Sequence, residues 1–232
     1  MREIVFDTET TGLDPKQGHR LVEIGCVEVI NRFPTGNIFH AYLNPQRDMP
    51  IEAFNVHGLS ADFLKDKPLF GAVVTDFEAF IGDAQLVAHN ASFDMNFLNH
   101  ELDRVGKAAI EQNRVVDTLV LARRKLPGGR HSLDALCERF GIDISRRVKH
   151  GALLDAEILA EVYVELLGGR QAALILDPAR EQTGSNVRAM PVKARAEALP
   201  SMVTETDIAA HGAFVAEMGE KAVWARYIRK SD

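Results

Sequence analysis

The segment Ile4-Val5-Phe6-Asp7-Thr8-Glu9-Thr10-Thr11-Gly12-Leu13 runs from an apolar stretch into two carboxylates separated by a single threonine. Side chains in an extended strand alternate between faces, so Asp7 and Glu9 project to the same side. Like charges placed side by side at the end of an apolar strand call for a cation. Taken alone, the pair reads equally as a solvated strand end followed by a Thr/Gly turn.

Outward from this segment, residues 3–7 form a short buried strand and 20–30 a longer one. Asn31-Arg32-Phe33-Pro34-Thr35-Gly36-Asn37 carries turn residues, and Ile38 to Leu43 resumes as a third strand. Residues 44–70 read as loop-rich. Helical spacing at Val73, Val74, Phe77 and Phe80 is followed by a strand at Gln85 to Ala88 and a helix from Ser92 to Arg104. Val115-Val116 forms another strand, leading into a helix over Thr118 to Lys125. Further helices span 132–140, capped by Ser132 and ended by Gly141, and 152–167, ended by Gly168-Gly169. Strands in hairpin succession, then strands alternating with helices, predict an α/β fold in which helices cover a mixed sheet.

Two more segments repeat the pattern of the first. In His89-Asn90-Ala91-Ser92-Phe93-Asp94, the aspartate shares a helix face with Phe97, Leu98 and Leu102. In His150-Gly151-Ala152-Leu153-Leu154-Asp155, the aspartate leads the stripe Leu159, Val162 and Leu166, with a histidine on the preceding loop. Each aspartate alone is also a good first-turn acid serving the helix dipole. Together the segments place four acidic groups and one histidine at the edges of one sheet. An all-oxygen set without cysteine favours hard cations, Mg²⁺ or Mn²⁺, over structural zinc. Two such ions about 3.5–4 Å apart suit in-line displacement at phosphorus, and a histidine with a near-neutral pKa suits removal of a water proton. The chemistry that fits is phosphodiester hydrolysis. Asp117 also ends a strand, but a helix starts at Thr118, so it reads as an N-cap and stays outside the catalytic set.

At these residues the sequence resembles the DEDDh-type 3′–5′ exonucleases, whose fold is ribonuclease H-like, and within them the proofreading (epsilon) subunits of bacterial DNA polymerase III. The resemblance runs from about Glu3 to Gly169. It rests on three ordered motifs: Asp7-Thr8-Glu9-Thr10-Thr11-Gly12, His89-Asn90-Ala91-Ser92-Phe93-Asp94, and His150 with Asp155. It implies that Asp7, Glu9, Asp94 and Asp155 are ligands of two divalent metal ions and that His150 is the general base. It further implies that Glu52 and His57 contact the terminal nucleotide and that Thr8, Thr10 and Leu13 wedge its base, beside Asp7, Glu9 and Asp155. From the residues alone, Glu52 is an ordinary helix-start acid and His57 an ordinary loop residue.

Composition agrees with a globular enzyme. Hydrophobic residues make up 46% of the chain, enough for a sizeable core, and the formal charge of −6 does not suit a protein that coats nucleic acid, so a substrate must be held locally. Cys26 and Cys137 lie far apart in apolar stretches and read as core residues rather than a disulfide or metal site. Without a long apolar run or a signal-type N-terminus, a cytoplasmic location is expected.

The expected organisation is an exonuclease domain over 1–176, a flexible linker over 177–203 punctuated by Pro178, Pro191 and Pro200, and a docking segment over 204–232 with Phe214 and Trp224 as anchors. The resemblance implies that DNA 3′ ends are the substrate and that the last segment binds the catalytic (alpha) subunit of the polymerase. Gln182-Thr183-Gly184-Ser185-Asn186-Val187 is weakly similar to a sliding-clamp-binding peptide. It lacks the usual aliphatic and aromatic pair and reads as linker. The competing functions are a stand-alone DEDDh nuclease that trims RNA or single-stranded DNA, and a noncatalytic polymerase scaffold.

Overall fold

The computed structural model describes residues 1–147, 149–169 and 203–218. Five strands form one sheet: β1 (Arg2–Thr10), β2 (Leu21–Ile30), β3 (Phe33–Tyr42), β4 (Gln85–Ala88) and β5 (Val115–Asp117), in the order β3-β2-β1-β4-β5. The first three are antiparallel, whereas β4 and β5 run parallel to β1. This is the mixed sheet expected from the strand pattern.

The turn between β2 and β3 is shorter than the composition of 31–37 suggested. Asn31 and Arg32 both take positive φ, 52° and 73°, the conformation of a two-residue hairpin turn whose twist matches its flanking strands. Strand β3 therefore begins at Phe33 and absorbs Pro34 and Gly36. An edge strand tolerates a proline because one side of its ladder is unpaired.

Strand β1 also extends further than expected, through Thr10, because β2 pairs along its whole length: Asp7 lies opposite Gly25 and Glu9 opposite Glu23. The carboxylates are thus part of the ladder rather than its frayed end. On the other side, β4 pairs only as far as Val5–Val87, so among the described residues the outer half of β1 has no strand neighbour there.

Two layers of helix cover the sheet. On one face, Ile4, Phe6, Ile24, Cys26 and Leu86 pack with α3 (Phe70–Ile81) and α4 (Ala91–Arg104), through residues such as Phe77, Phe97, Leu98 and Leu102. On the other, Val5, Val29 and Val87 pack with Leu159, Ala160 and Tyr163 of α7 (Ala152–Leu166). Helices α5 (Thr118–Lys125) and α6 (Leu133–Phe140) complete that layer around Leu136, Ile158 and Val162. Burying each such aliphatic or aromatic side chain contributes roughly 1.5–3 kcal/mol. Ser132 and Gly141 cap α6 as expected, and Cys26 and Cys137 are buried free thiols.

Residues 44–70, expected to be mixed and loop-rich, contain two short helices, α1 (Ile51–His57) and α2 (Ala61–Leu64). Neither is long enough to show a clear 3.6-residue period, and α1 lacks a side-chain N-cap. Gly58, at φ 76°, ends α1 by turning left-handed.

The chain divides into two units after Ile175. The described part of the second contains α8 (Glu205–Glu217), started by a capping box between Thr204 and Asp207. Its Ile208 and Phe214 are exposed. Residues 177–202, the clamp-like peptide and Trp224 fall outside the described residues. No helix among the described residues is long and apolar enough to cross a membrane.

Candidate active site

Strand alternation sorts the first motif between the two layers. Asp7 and Glu9 share the face of Val5, beneath α7, while Thr8 faces the α4 side. Asp94 arrives from the first turn of α4, on the ground that short β4 leaves open beside β1. There the Thr8 hydroxyl donates to Asp94 Oδ1 at 2.6 Å. Asp155 arrives from the first turn of α7, and both aspartates lead buried stripes, being 3% and 2% exposed.

The approach of α7 depends on Gly25. A Cβ at this position would lie 2.2 Å from the backbone nitrogen of Leu153 and 2.3 Å from the carbonyl carbon of Ala152. Only a residue without a side chain lets the start of α7 close onto β2, and that closure sets Asp155 and His150 over Glu9. Donor atoms of Glu9, His150 and Asp155 all lie within 4.8 Å of one another.

The electrostatics show how closely the acids crowd. Burial, then Asp94, Glu9 and Asp155, raise Asp7 well above the ordinary carboxylate range. Burial, then Glu23, Asp155 and Asp94, push Glu9 up to about 8. Burial pushes Asp94 up to about 7 against the opposing hydrogen bond from Thr8. Anions so destabilised favour a bound cation or a proton. Asp155 Oδ1 is buried and meets the Arg147 Nε at 2.5 Å, so this carboxylate is charge-paired within the site. A set of carboxylate oxygens and one imidazole fits a hard divalent ion.

Beside the acids lies a cleft of about 590 Å³ lined by Thr8, Glu9, Thr10, Leu13, Glu52 and His57, together with Val56 and Phe93. Every residue assigned to the terminal nucleotide by resemblance lines this cleft or belongs to the acid cluster. Leu13 is 83% exposed, an apolar side chain at the cleft mouth. Glu52 sits in the first turn of α1, as expected.

His57 departs from the reading of the residues alone. It is the last residue of α1 rather than a loop residue, it is buried, and burial lowers its pKa. Its Nδ1 accepts the Leu59 N–H at 3.0 Å, so the neutral ring carries its proton on Nε2, which is buried and directed at the Thr10 backbone. That donor and Thr10 both line the cleft.

Asp117 is an N-cap, accepting from the backbone N–H groups of Leu119 and Val120 and also from Asn90. It braces the start of α4 from β5 and stays outside the acid cluster. Three contributors were not legible in sequence. Arg147 pairs with Asp155, with Nε 2.5 Å from Oδ1 and Nη2 2.7 Å from Oδ2. Glu23 lies across from Glu9 and is held by His40 Nε2 at 2.7 Å. Phe93 lines the cleft from α4. No motif distinguishes Arg147 from its neighbour Arg146, since only the fold directs one of them inward.

The profile of the exonuclease (RNase_T) family matches residues 4–163. DNA polymerase III subunit epsilon of Rickettsia typhi is 49% identical over 93% of this chain and 96% of its own length. The Escherichia coli protein of the same name is 43% identical over 96% and 97%. The chain belongs to the exonuclease family of DNA polymerase III epsilon subunits. Among solved structures, exonuclease X in complex with 5′ overhanging duplex DNA is 29% identical, with a TM-score of 0.56 over 72% of this chain and 90% of that one. The nuclease domain of 3′hExo, a DEDDh family member bound to rAMP, superposes at a TM-score of 0.63 over 72% and 92%. At 17% identity it shows the ribonuclease H-like fold alone. Membership of this family implies divalent metal ions.

Proposed function

We propose that the chain is the proofreading 3′–5′ exonuclease of a bacterial replicase, hydrolysing the terminal phosphodiester of DNA 3′ ends to release nucleoside 5′-monophosphates. The observation that carries this reading is the convergence of Asp7, Glu9, Asp94 and Asp155, three of them with raised pKa values, beside a nucleotide-sized cleft.

Asp7, Glu9, Asp94 and Asp155 would hold two divalent cations, Mg²⁺ or Mn²⁺. When bound, such ions lower the proton affinity of the attacking water and screen the charge on the phosphate. The chain's own residues do the rest. His150, exposed on the loop before α7, reaches the cluster from the solvent side and accepts the water's proton. Thr8 and the ladder with β2 hold the acids in register. His57 Nε2–H and Glu52 offer a donor and an acceptor to the terminal nucleotide, while Leu13 and Phe93 give its base apolar contacts. Asp7, Glu9, Thr8, Thr10 and Asp155 complete that subsite.

On this reading residues 1–176 form the catalytic domain, 177–203 a linker, and 204–232 the segment that docks on the catalytic alpha subunit. The exposed Ile208 and Phe214 of α8 support the last assignment. The site would act in the cytoplasm, where bacterial replication takes place. Selection of mispaired ends follows from easier fraying into the cleft. Paired and mispaired ends matched for melting, yet degraded at very different rates, would contradict it.

The test is shortening of a 5′-labelled single strand by the purified chain in Mg²⁺, Mn²⁺ or EDTA, beside Asp7→Ala and His150→Ala. Expected is metal-dependent shortening from the 3′ end, reduced by about 10²–10⁴-fold in His150→Ala, the range for loss of a general base. No shortening in either metal would favour a noncatalytic scaffold. Faster degradation of the matching RNA strand would favour an RNA-trimming nuclease.

A further inference from the structure

We infer that Arg147 is a built-in competitor for the cation site: its guanidinium and a divalent metal ion contend for Asp155, so Arg147 sets the metal affinity of the enzyme. The inference rests on the proposed assignment of Asp155 as a metal ligand.

Arg147 lies on the loop between α6 and α7, its side chain 8% exposed and that of Asp155 3% exposed. Both Asp155 oxygens face the guanidinium, at 2.5 and 2.7 Å. The same Nη2 is 2.6 Å from His150 Nδ1. Two of the three residues whose donor atoms cluster within 4.8 Å are therefore already engaged by one permanent positive charge. A cation placed there must take lone pairs from Asp155 and sit beside that charge.

The pair is close on both oxygens, and a second carboxylate separates a competitor from a structural brace. Arg147 also has a second anchor, since Nη1 pairs with Asp134 in the first turn of α6, whose side chain is 62% exposed. That carboxylate gives the guanidinium a place to stay when it leaves Asp155.

The test is Mn²⁺ binding to the full chain, by calorimetry or by the resonance signal of free Mn²⁺, for the wild type, Arg147→Gln, Arg147→Lys and Asp134→Asn. Arg147→Gln is expected to bind Mn²⁺ at least tenfold more tightly and, in EDTA, to melt at a lower temperature than wild type. Arg147→Lys, which keeps the charge but loses the fork, is expected between the two. Asp134→Asn changes an exposed residue, so the fold is retained. Removing the outer anchor commits the guanidinium to Asp155, and Mn²⁺ binding is expected to weaken. Opposite signs at Arg147 and Asp134 are the signature of competition. Weaker or unchanged binding in Arg147→Gln and Arg147→Lys, with the wild type binding normally, overturns the inference and makes Arg147 a brace. A wild type that binds no Mn²⁺ overturns the metal-site reading itself.

Discussion

Replacing Gly25 by alanine tests whether the approach of α7 to the sheet builds the active site. The added methyl would lie 2.2 Å from the Leu153 nitrogen, where ordinary contact begins near 3.4 Å, so the start of α7 must retreat by about 1.2 Å. The colliding atoms are backbone, which cannot rotate aside as a side-chain tip would. Overpacking of this kind costs about 1–3 kcal/mol. The retreat carries Asp155 and His150 away from Glu9, and a displacement near 1 Å in a catalytic group is worth about 10²-fold in rate. Gly25→Ala is therefore expected to lose about two orders of magnitude in kcat on a labelled single strand, with a modest fall in melting temperature and unchanged helical content. A Gly25→Ala enzyme with wild-type kcat would refute the argument that this contact sets the position of α7.

Other consequences follow from the same geometry. Glu9 and Asp94 have folded-state pKa values near 8 and 7, above their ordinary values, so the native state binds more protons than the unfolded chain between about pH 4 and 8. In EDTA the melting temperature is thus expected to fall as pH rises through that window, and saturating Mn²⁺ is expected to remove most of the fall; a flat profile in EDTA would count against the crowded acids. Thr8→Val deletes the one side-chain donor to Asp94 among the described residues and should raise the metal concentration needed for half-maximal activity by about 10–100-fold, measured by titrating Mg²⁺ into the exonuclease assay. Arg20 grips Glu101, 2% exposed, through two nitrogens at 2.5 and 2.8 Å, and only the half-exposed Arg104 at 3.9 Å would still face the carboxylate, so Arg20→Met should destabilise by about 3 kcal/mol in urea unfolding. The double variant Arg20→Met with Glu101→Leu should recover most of that loss, because no uncompensated charge remains.

The parts of this protein legible in its sequence are those written in local patterns. The alternation around Asp7 and Glu9 announced a strand with both acids on one face, and the stripes behind Asp94 and Asp155 announced helices that aim carboxylates inward. Ser132, Gly141 and Asp117 were readable as caps because capping is decided within four residues. What escaped depends on distant partners. His57 read as a loop residue because nothing local reveals that the end of α1 is buried. Arg147 looked like one of two adjacent arginines, and Glu23 like a polar interruption in an apolar strand, until the pairing of β1 with β2 set it opposite Glu9. The hairpin turn comes earlier than its composition suggests, because Pro34 and Gly36 are turn residues by type, whereas the edge of a sheet accommodates both.

Strand β4 places a limit on how genes of this kind can change. Its ladder with β1 stops at Val87, and Asp94 reaches Thr8 just past that point. Apolar exchanges within Gln85–Ala88 alter packing and little else. Two inserted residues, by contrast, would carry the ladder out to Asp7 and close the gap through which α4 enters. Strand length here is a heritable trait separate from strand composition. In a library that mixes point substitutions with in-frame insertions across this segment, survivors should retain many of the former and almost none of the latter.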